Sequence, residues 1–299
     1  MSAPADSHQL SRAGSSAFSL RPTRILGRLA RGEIWYALGR FARVRRGYSS
    51  VRALLERLDP GAAEVPYPVS VFPELDVAGT AAILRREGVF CGLQLPGDIL
   101  AEITAFAQKQ PLVPLQGGPP IARHEVRNGR LPSGEPAVVG RVVDPESCPA
   151  VHRIVHDPAL LALARSYLGY RPESTRTQLH WSFVSDASAD YRRRLGQTID
   201  YHFDVAWFNF LYVFFYLTDV DSRSGAHAII RRSHRAKPLR MLWHSARQSD
   251  ETVLRHYGPE SELTIEGRAG SGFAEDTSCF HKALAPVSRD RLAFFIHYT

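Results

Sequence analysis

The run from Phe210 to Leu217 constrains the fold of this chain more than any other segment. Aromatic and aliphatic residues fill both alternating sets of positions, so both faces of an extended strand here are apolar. Such a strand is stable only where other layers cover both of its faces. The segment therefore predicts a central strand of a sheet with further structure packed on either side.

Similar short runs dominate the second half of the chain. Each is rich in β-branched or aromatic residues and is bounded by Gly, Pro, Asp or Ser, which is typical of strands joined by turns. The runs are Thr175 to Val184, Ala226 to Ile230, Leu263 to Glu266 and Leu292 to Tyr298. A region in which strands dominate in this way predicts an antiparallel β core.

Helices are predicted before this core. Asp76 to Glu87 has a helical pattern that a glycine ends, and a short strand from Val89 to Leu93 follows. A second helix is predicted from Pro96 to Gln110, and a third begins at Asp157, an N-cap residue followed by proline. Together these elements predict an α+β fold with a mainly β core, a cupin-like double-stranded β-helix (jelly roll) backed by N-terminal helices.

The chain divides into a basic extension, residues 1–73, and a predicted jelly-roll catalytic domain, residues 74–299. Within the extension we expect a disordered tail over residues 1–20, a helix over 23–46 and a proline-punctuated linker over 59–73. Nine arginines in the first 50 residues stand against only Asp6 and Glu33. This composition resembles a transit peptide, or a surface helix that contacts an acidic partner or a membrane. We favour a solvated, partly helical extension, because arginine supplies nearly all positive charge throughout the chain.

Several classes of protein are disfavoured by features that are missing. The three cysteines are far apart and show no C-x-x-C spacing, which argues against a disulfide framework or a structural zinc site. No apolar run approaches the roughly 20 residues of a membrane helix. There is no G-x-S-x-G elbow, P-loop or dinucleotide fingerprint. We therefore expect a cytoplasmic enzyme with no membrane span and no nucleic-acid partner, and the oligomeric state stays open.

A metal-binding motif precedes the central strand. His202 and Asp204 are two residues apart, and on an extended strand this spacing directs both side chains to the same face. One strand can then offer two ligands to one metal ion. A third ligand from a distant strand would complete a facial triad of two histidines and one carboxylate, which leaves positions for a chelating keto acid and dioxygen.

We assign His281 as the third ligand, because it follows a turn that leads into a strand close to the C-terminus. His180, His227 and His234 are the rival ligands. His234 follows a strand within a turn, and we expect it to be a structural histidine.

A chelating co-substrate such as 2-oxoglutarate also needs a fixed cation for its distal carboxylate. The planar fork of an arginine meets this need better than a lysine does. Arg291 opens the last predicted strand, where alternation places it on one face with Ala293, Phe295 and His297. We expect this face to line the barrel interior, and Arg289 is the second candidate for the same role.

Four further residues are candidates for substrate contacts, and one for the co-substrate. Gln178 lies on the strand before the metal motif and is assigned to 2-oxoglutarate binding, and its neighbour His180 to substrate. Trp181 and Trp207 are candidates for lining an apolar pocket, although aromatic residues beside such strands are more often plain core. Arg193 lies among three adjacent arginines that could attract an anionic or carrier-bound substrate, and a solvated charged loop explains them equally well.

Residues 201–235 resemble the phytanoyl-CoA dioxygenase family. They contain H-x-D, an apolar strand, the turn Leu-Thr-Asp-Val-Asp, a glycine-containing hairpin and a Ser-His pair. The likeness extends upstream to residues 83–90 and downstream to His281 and residues 291–298, so that it covers about residues 75–299. It implies a double-stranded β-helix with Fe(II) held by His202, Asp204 and His281, and with 2-oxoglutarate held by Arg291.

The resemblance also implies the reaction. It would be hydroxylation, or another oxidation, of an unactivated C–H bond in a small-molecule or carrier-linked substrate, with O₂ and 2-oxoglutarate as co-substrates and succinate as a product. The carboxylate of Asp204 favours this over halogenation, since related halogenases have a small residue there. Two departures from the family are Arg232, where glycine usually precedes Ser-His, and a loop between His281 and Arg291 one residue shorter than in some members. The alternative is a metal-binding jelly roll without oxygenase activity, such as a cupin-like isomerase or binding protein, against which Arg291 argues.

Overall fold

The computed structural model describes residues 38–58, 67–235, 237–243 and 246–299. The helices in these ranges are α1 (Ala42–Leu58), α2 (Val77–Glu87), α3 (Gly97–Lys109), α4 (Pro149–Val155), α5 (Pro158–Leu168), α6 (Ala189–Arg194), α7 (Leu239–Trp243) and α8 (Asp250–Tyr257). The strands are β1 (Val89–Gln94), β2 (Leu112–Pro114), β3 (Val139–Val142), β4 (Thr175–Ser182), β5 (Leu211–Tyr216), β6 (His227–Ile230), β7 (Glu262–Ile265), β8 (Ser271–Glu275), β9 (His281–Ala283) and β10 (Arg291–Tyr298). Short 3₁₀ turns occupy Leu38–Arg40, Arg123–Glu125, Pro145–Ser147 and Pro259–Ser261. None of the helices in these ranges has the length and apolar composition that crossing a bilayer requires.

The strands form two antiparallel sheets. The larger has the order β1-β8-β5-β10-β4-β3-β2, and the smaller has the order β7-β6-β9. An isolated bridge between His202 and His281 adds one more segment to the edge of the smaller sheet at β9. The predicted antiparallel β core with preceding helices is therefore the observed architecture.

The larger sheet has one face toward helices and one toward the barrel interior. Strand β5 lies between β8 and β10, as its two apolar faces predicted. On β10, Leu292, Phe294 and Ile296 are buried in the cluster that joins the sheet to the helix layer. The alternate residues, including Arg291, then point the other way, into the barrel. This is the orientation that the sequence predicted for the last strand.

The ends of two helices also follow the sequence signals. Asp76 caps α2 by accepting a hydrogen bond from Gly79 N, and Gly88 ends that helix in the left-handed region at φ 84°. Asp157 accepts hydrogen bonds from the first turn of α5, and Gly169 ends it at φ 85°. Carboxylate N-caps and left-handed glycine C-caps satisfy backbone groups that helix ends leave free.

Other elements differ from the predictions. Strands β2, β3 and β8 were not predicted, and α6 forms where a charged loop was expected. Helix α1 continues to Leu58, whereas the predicted helix ended at residue 46; residues 1–37, which include the predicted disordered tail, lie outside the described residues. At the other end of the predicted linker, Phe72 is buried and Val71 N donates to Asp157, so this stretch already belongs to the folded unit.

Arg232, the residue that departs from the family's glycine, has a left-handed backbone with φ 67°. This conformation suits glycine and strains residues that have a Cβ atom. The side chain of Arg232 makes a bidentate pair with Glu87, with Nε–Oε2 at 2.8 Å and Nη2–Oε1 at 3.0 Å. The pair lowers the pKa of Glu87 to about 2. It also fixes the turn after β6 to the end of α2.

We predict that Arg232→Ala destabilises the protein more than Arg232→Gly. Both variants lose the ion pair with Glu87, but only glycine relieves the left-handed strain. The free energy of unfolding should differ by about 1 kcal/mol in favour of the glycine variant, measured by urea denaturation. Equal stability of the two variants would mean that the backbone at this position carries no strain.

Candidate metal centre

Three side chains predicted to bind metal converge at one end of the barrel. His202, Asp204 and His281 each offer a ligand atom, and these atoms all lie within 4.8 Å of one another. His202 Nε2 is 3.8 Å from Asp204 Oδ1, and His281 Nε2 is 3.9 Å from Asp204 Oδ2. Two imidazoles and a carboxylate in this arrangement form a facial triad that leaves coordination positions open.

Both histidines are oriented by backbone carbonyls. Nδ1 of His202 is 3.1 Å from the carbonyl oxygen of Asp200, and Nδ1 of His281 is 3.0 Å from that of Cys279. An imidazole that donates its Nδ1–H to a carbonyl presents Nε2 as a lone-pair ligand. Burial, together with the neighbouring His281, lowers the pKa of His202 to about 3, so its ring is neutral and able to bind metal at neutral pH. The donor set fits a divalent metal such as Fe(II).

Main-chain hydrogen bonds bring the three ligands together. His202 N donates to His281 O at 3.0 Å, and His281 N donates to His202 O at 2.8 Å. Asp204 N donates to Thr277 O at 2.8 Å. The extended strand expected around His202 and Asp204 is in fact a single bridged residue, His202, followed by a loop. The loop before β9 therefore holds Asp204, in place of a continuous strand.

Arg291 is buried in the barrel with only 6% of its surface exposed. Its guanidinium donates to Gly225 O and, at 3.1 Å, to Ser182 Oγ, and its Nε is buried without a partner. Among the described residues, no carboxylate lies within ion-pair distance of it. Burial accordingly lowers its pKa. A buried guanidinium with a free donor and no acid beside it has the charge and the hydrogen-bonding capacity to accept a carboxylate.

The rival arginine has a different environment. Arg289 Nη2 lies 2.6 Å from Asp221 Oδ2, and both side chains are largely exposed. A surface pair of this kind is screened by solvent. The structure therefore brings Arg291, and not Arg289, to the barrel interior.

The three rival histidines do not join the triad. His234 lies between Arg85 O, 3.1 Å from Nε2, and Cys279 Sγ, 3.3 Å from Nδ1, as expected for a structural residue. His180 contacts the Phe295 ring edge-on. Burial lowers the pKa of His180 to about 3, with a further contribution from Arg291.

His227 forms a buried pair with Glu275, which the sequence did not reveal. His227 Nε2 is 2.7 Å from Glu275 Oε2, and the ring of His227 stacks on His281 at 5.3 Å. Burial raises the pKa of Glu275 to about 8 and lowers that of His227 to about 3, so both groups are uncharged at neutral pH. Through this stacking, the His227–Glu275 pair packs against the His281 ring. Recognising β8 would have placed Glu275 on the same strand face as Phe273, two residues before it.

The candidate ligand-contacting residues separate into two groups. Gln178 pairs with Phe295 across β4 and β10, and His180 pairs with Ala293, so both share the inward face with Arg291. Trp181 pairs with Leu292 on the opposite face, packs beside Ala107 and lies under Arg123. Strand alternation thus directs Trp181 into the helix layer, and its assignment to substrate does not fit the structure.

The other two candidates also lie away from the barrel interior. Arg193 Nε is 2.9 Å from Asp200 Oδ2, and its guanidinium also pairs with Asp190 on α6. Two carboxylates therefore already pair with the guanidinium that was one candidate for attracting an anionic substrate. Trp207 Nε1 donates to Tyr48 Oη at 3.3 Å, which places this indole against α1.

The inward face of the larger sheet, which carries Arg291, is partly accessible. On this inward face Ser182, Tyr216, Arg291, Ala293 and His297 are buried. The exposed or half-buried residues of the same face of β4, β5 and β10 are Arg176, Gln178, His180, Tyr212, Phe214 and Phe295. A space of this kind, apolar with a few polar groups, is typical of small-molecule sites.

No known protein-family model matches the chain, and no curated protein matches its sequence. Solved structures do match its fold. The non-heme alpha ketoglutarate dependent epimerase SnoN from nogalamycin biosynthesis is 19% identical, with a TM-score of 0.52 over 75% of this chain and 82% of that one. EvdO2 from Micromonospora carbonacea var. aurantiaca, complexed with 2-oxoglutarate, is 15% identical, with a TM-score of 0.51 over 77% and 93%. EctD from S. alaskensis with bound Fe is 16% identical, with a TM-score of 0.50 over 74% and 76%. The chain has the jelly-roll fold of Fe/2-oxoglutarate-dependent oxygenases.

We predict that His202→Ala, Asp204→Ala and His281→Ala each weaken metal binding by more than about 100-fold, since even second-sphere changes weaken metal affinity by about 10- to 100-fold. His234→Ala should bind the metal with unchanged affinity, because His234 contacts Arg85 O and Cys279 Sγ and lies outside the triad. Anaerobic Fe(II) titration of the purified variants measures both effects. Full affinity in any of the first three variants would place the metal elsewhere.

Proposed function

We propose that this protein is an Fe(II)- and 2-oxoglutarate-dependent dioxygenase similar to the phytanoyl-CoA dioxygenase family. It would hydroxylate an unactivated C–H bond of a small-molecule or carrier-linked substrate in the cytoplasm. His202, Asp204 and His281 would hold the iron, and Arg291 the distal carboxylate of 2-oxoglutarate. The observation that carries the proposal is the combination of a metal triad and a buried, acid-free arginine facing the same barrel interior.

The residues present fit both groups. The two imidazoles have Nε2 available and Nδ1 engaged, which suits a divalent metal. The unpartnered Nε of Arg291 and its nearby Ser182 hydroxyl suit a carboxylate. When bound, Fe(II) and 2-oxoglutarate would activate O₂ for oxidation of the substrate, and 2-oxoglutarate would be converted to succinate and carbon dioxide.

The protein's contribution is positioning and exclusion of water. Arg291 would hold one end of the keto acid through charge-assisted hydrogen bonds, and the triad would hold the metal at the other end. Burial of the guanidinium strengthens this contact, because little water competes for it. Gln178 and His180 face the space between the two ends and are the proposed contacts to the co-substrate and substrate.

The proposed outcome is hydroxylation of a partly apolar substrate. SnoN is an epimerase, so the shared fold is compatible with more than one result of the same oxidation. Hydroxylation rests on the resemblance of residues 201–235 to the phytanoyl-CoA dioxygenase family. The half-buried aromatic rings of Tyr212, Phe214 and Phe295 indicate a partly apolar substrate.

A direct test is anaerobic addition of 2-oxoglutarate to the Fe(II)-loaded protein. Chelation gives a weak visible charge-transfer band, and we expect that band here. Iron binding without the band would refute 2-oxoglutarate as co-substrate and favour the cupin-like alternative.

We predict that Arg291→Ala raises the 2-oxoglutarate concentration needed for half-maximal band intensity by about two to three orders of magnitude. The reason is that loss of one partner from a desolvated charge pair costs about 3 to 5 kcal/mol. Iron affinity should be unchanged, since Arg291 binds no metal. Arg291→Lys should recover only part of the loss, because an ammonium cannot form both hydrogen bonds.

Arg289→Ala is the matched control for Arg291→Ala. Its side chain is exposed and paired with Asp221, so the 2-oxoglutarate requirement should stay within twofold of the unaltered protein. A large effect from Arg289→Ala and none from Arg291→Ala would transfer the co-substrate site to Arg289.

A further inference from the structure

Helix α1 packs against the rest of the protein through a polar stripe. Arg45, Ser49, Arg52 and Glu56 recur at the spacing of one helix face, and each has a polar partner outside the helix. Four aliphatic residues of α1 lie on other faces and are exposed. They are Val51, Leu54, Leu55 and Leu58. A helix docked in this way is held by specific polar contacts more than by apolar burial.

Arg45 is the centre of these contacts. Only 8% of its surface is exposed. Its guanidinium pairs with both oxygens of Asp276, at 3.0 Å and 2.9 Å, and donates to Asn209 Oδ1 at 3.1 Å and 2.7 Å and to Ser278 Oγ. Burial alone would raise the pKa of Asp276, but Arg45 holds it below its ordinary value. The pair is thus ionised and tightly hydrogen-bonded at neutral pH.

The partners of Arg45 lie on both loops that carry metal ligands. Asp276 and Ser278 belong to the loop before His281, and between them Thr277 accepts the hydrogen bond from Asp204 N. Asn209 ends the loop that follows Asp204. One guanidinium therefore joins the two loops whose relative position sets the spacing of the triad.

Neighbouring residues of the same segment contact the loop after Asp204 as well. Tyr48 stacks on Phe208 at 4.8 Å and accepts a hydrogen bond from Trp207 Nε1 at 3.3 Å. A Cβ atom at Gly39 would lie 2.4 Å from Trp207 O, so the backbone there approaches as closely as only glycine permits. These contacts leave the loop little freedom to move relative to α1.

We propose that Arg45 is a positioning residue of the metal centre, and that residues 38–58 form part of the catalytic unit and are not a separable extension. The guanidinium keeps the two ligand-bearing loops in the register that brings His202, Asp204 and His281 around one metal ion. The inference rests on the metal site proposed above. It adds that metal affinity depends on a contact made from outside the jelly roll.

The test is Co(II) titration of the metal-free full-length protein, followed by the visible absorption of the bound ion. Arg45→Met removes the charge and all of its hydrogen bonds while retaining an unbranched side chain. We expect at least a tenfold weaker Co(II) affinity and an altered spectrum, in the range of second-sphere effects. Arg45→Lys keeps the charge but not the forked geometry, and we expect an intermediate affinity, at least threefold weaker.

Arg52→Met is the matched control. Arg52 lies on the same face of α1, and its partner Glu173 is half exposed and outside both ligand-bearing loops. The same substitution there should leave Co(II) affinity within twofold. Thermal unfolding of each metal-free variant establishes a titration temperature at which it is folded.

The outcomes separate the two proposals. Failure of the unaltered protein to bind Co(II) would refute the metal centre, and the role of Arg45 with it. Normal binding by the unaltered protein together with affinities within twofold for folded Arg45→Met and Arg45→Lys would overturn the positioning role alone. If Arg45→Met does not fold, the Co(II) affinity of Arg45→Lys tests the positioning role alone, and an affinity within twofold of that of the unaltered protein overturns it. An equal loss of affinity in Arg52→Met would also overturn the inference, because it would show a general effect of loosening α1.

Discussion

The pair of main-chain hydrogen bonds between His202 and His281 is the constraint on which the site depends. It joins segments far apart in the sequence and sets their ring centroids 4.1 Å apart. Because side chains alternate along extended backbone, a slip of one residue would turn one imidazole away from the other. The third ligand is tied to the same place, since Asp204 N donates to the loop that leads into β9. Backbone pairing thus sets the spacing of the ligands before any metal binds.

The protonation of the side chains inside the barrel depends on their burial and on Arg291. Burial and the positive charge of Arg291 keep His227 neutral, and Glu275 is neutral through burial. Arg291 is a buried cation on the inward face of the larger sheet, and the exposed Arg176 lies on the same face of β4. In the proposed complex, the formal charges of Fe(II) and Arg291 balance those of Asp204 and the 2-oxoglutarate dianion. Burying the charge of Arg291 without a partner costs free energy, and a bound carboxylate would offset that cost. This is expected of a binding residue in a preformed site.

The sequence predicted the parts of the fold that depend on local signals. Capping by Asp76 and Asp157, and the two-faced apolar pattern of β5, correspond directly to observed elements. Short strands such as β2 and β3 were missed, because three or four residues carry too little periodicity and their pairing is decided by distant segments. Glu275 was missed for the same reason, since β8 was not predicted. Trp181 was a candidate for lining the substrate pocket or for the core, and its register opposite Leu292 directs it into the core, because an aromatic residue near a site carries no direction until the strand register is known.

Helix α1 shows why the extension was harder to interpret than the barrel. Hydrophobic periodicity locates a helix face on the assumption that apolar residues face inward. In α1 the packed face carries Arg45, Ser49 and Arg52, and the leucines face outward, so the pattern indicates the wrong side. Composition is equally uninformative, because Arg43 and Arg46 are exposed while Arg45 between them is buried. Arg45 differs from its neighbours because it pairs with the carboxylate of Asp276, which is buried in the loop before β9. Only the folded chain brings these two residues together. An arginine-rich segment can therefore pack into the folded unit through buried polar contacts and need not be a solvated tail.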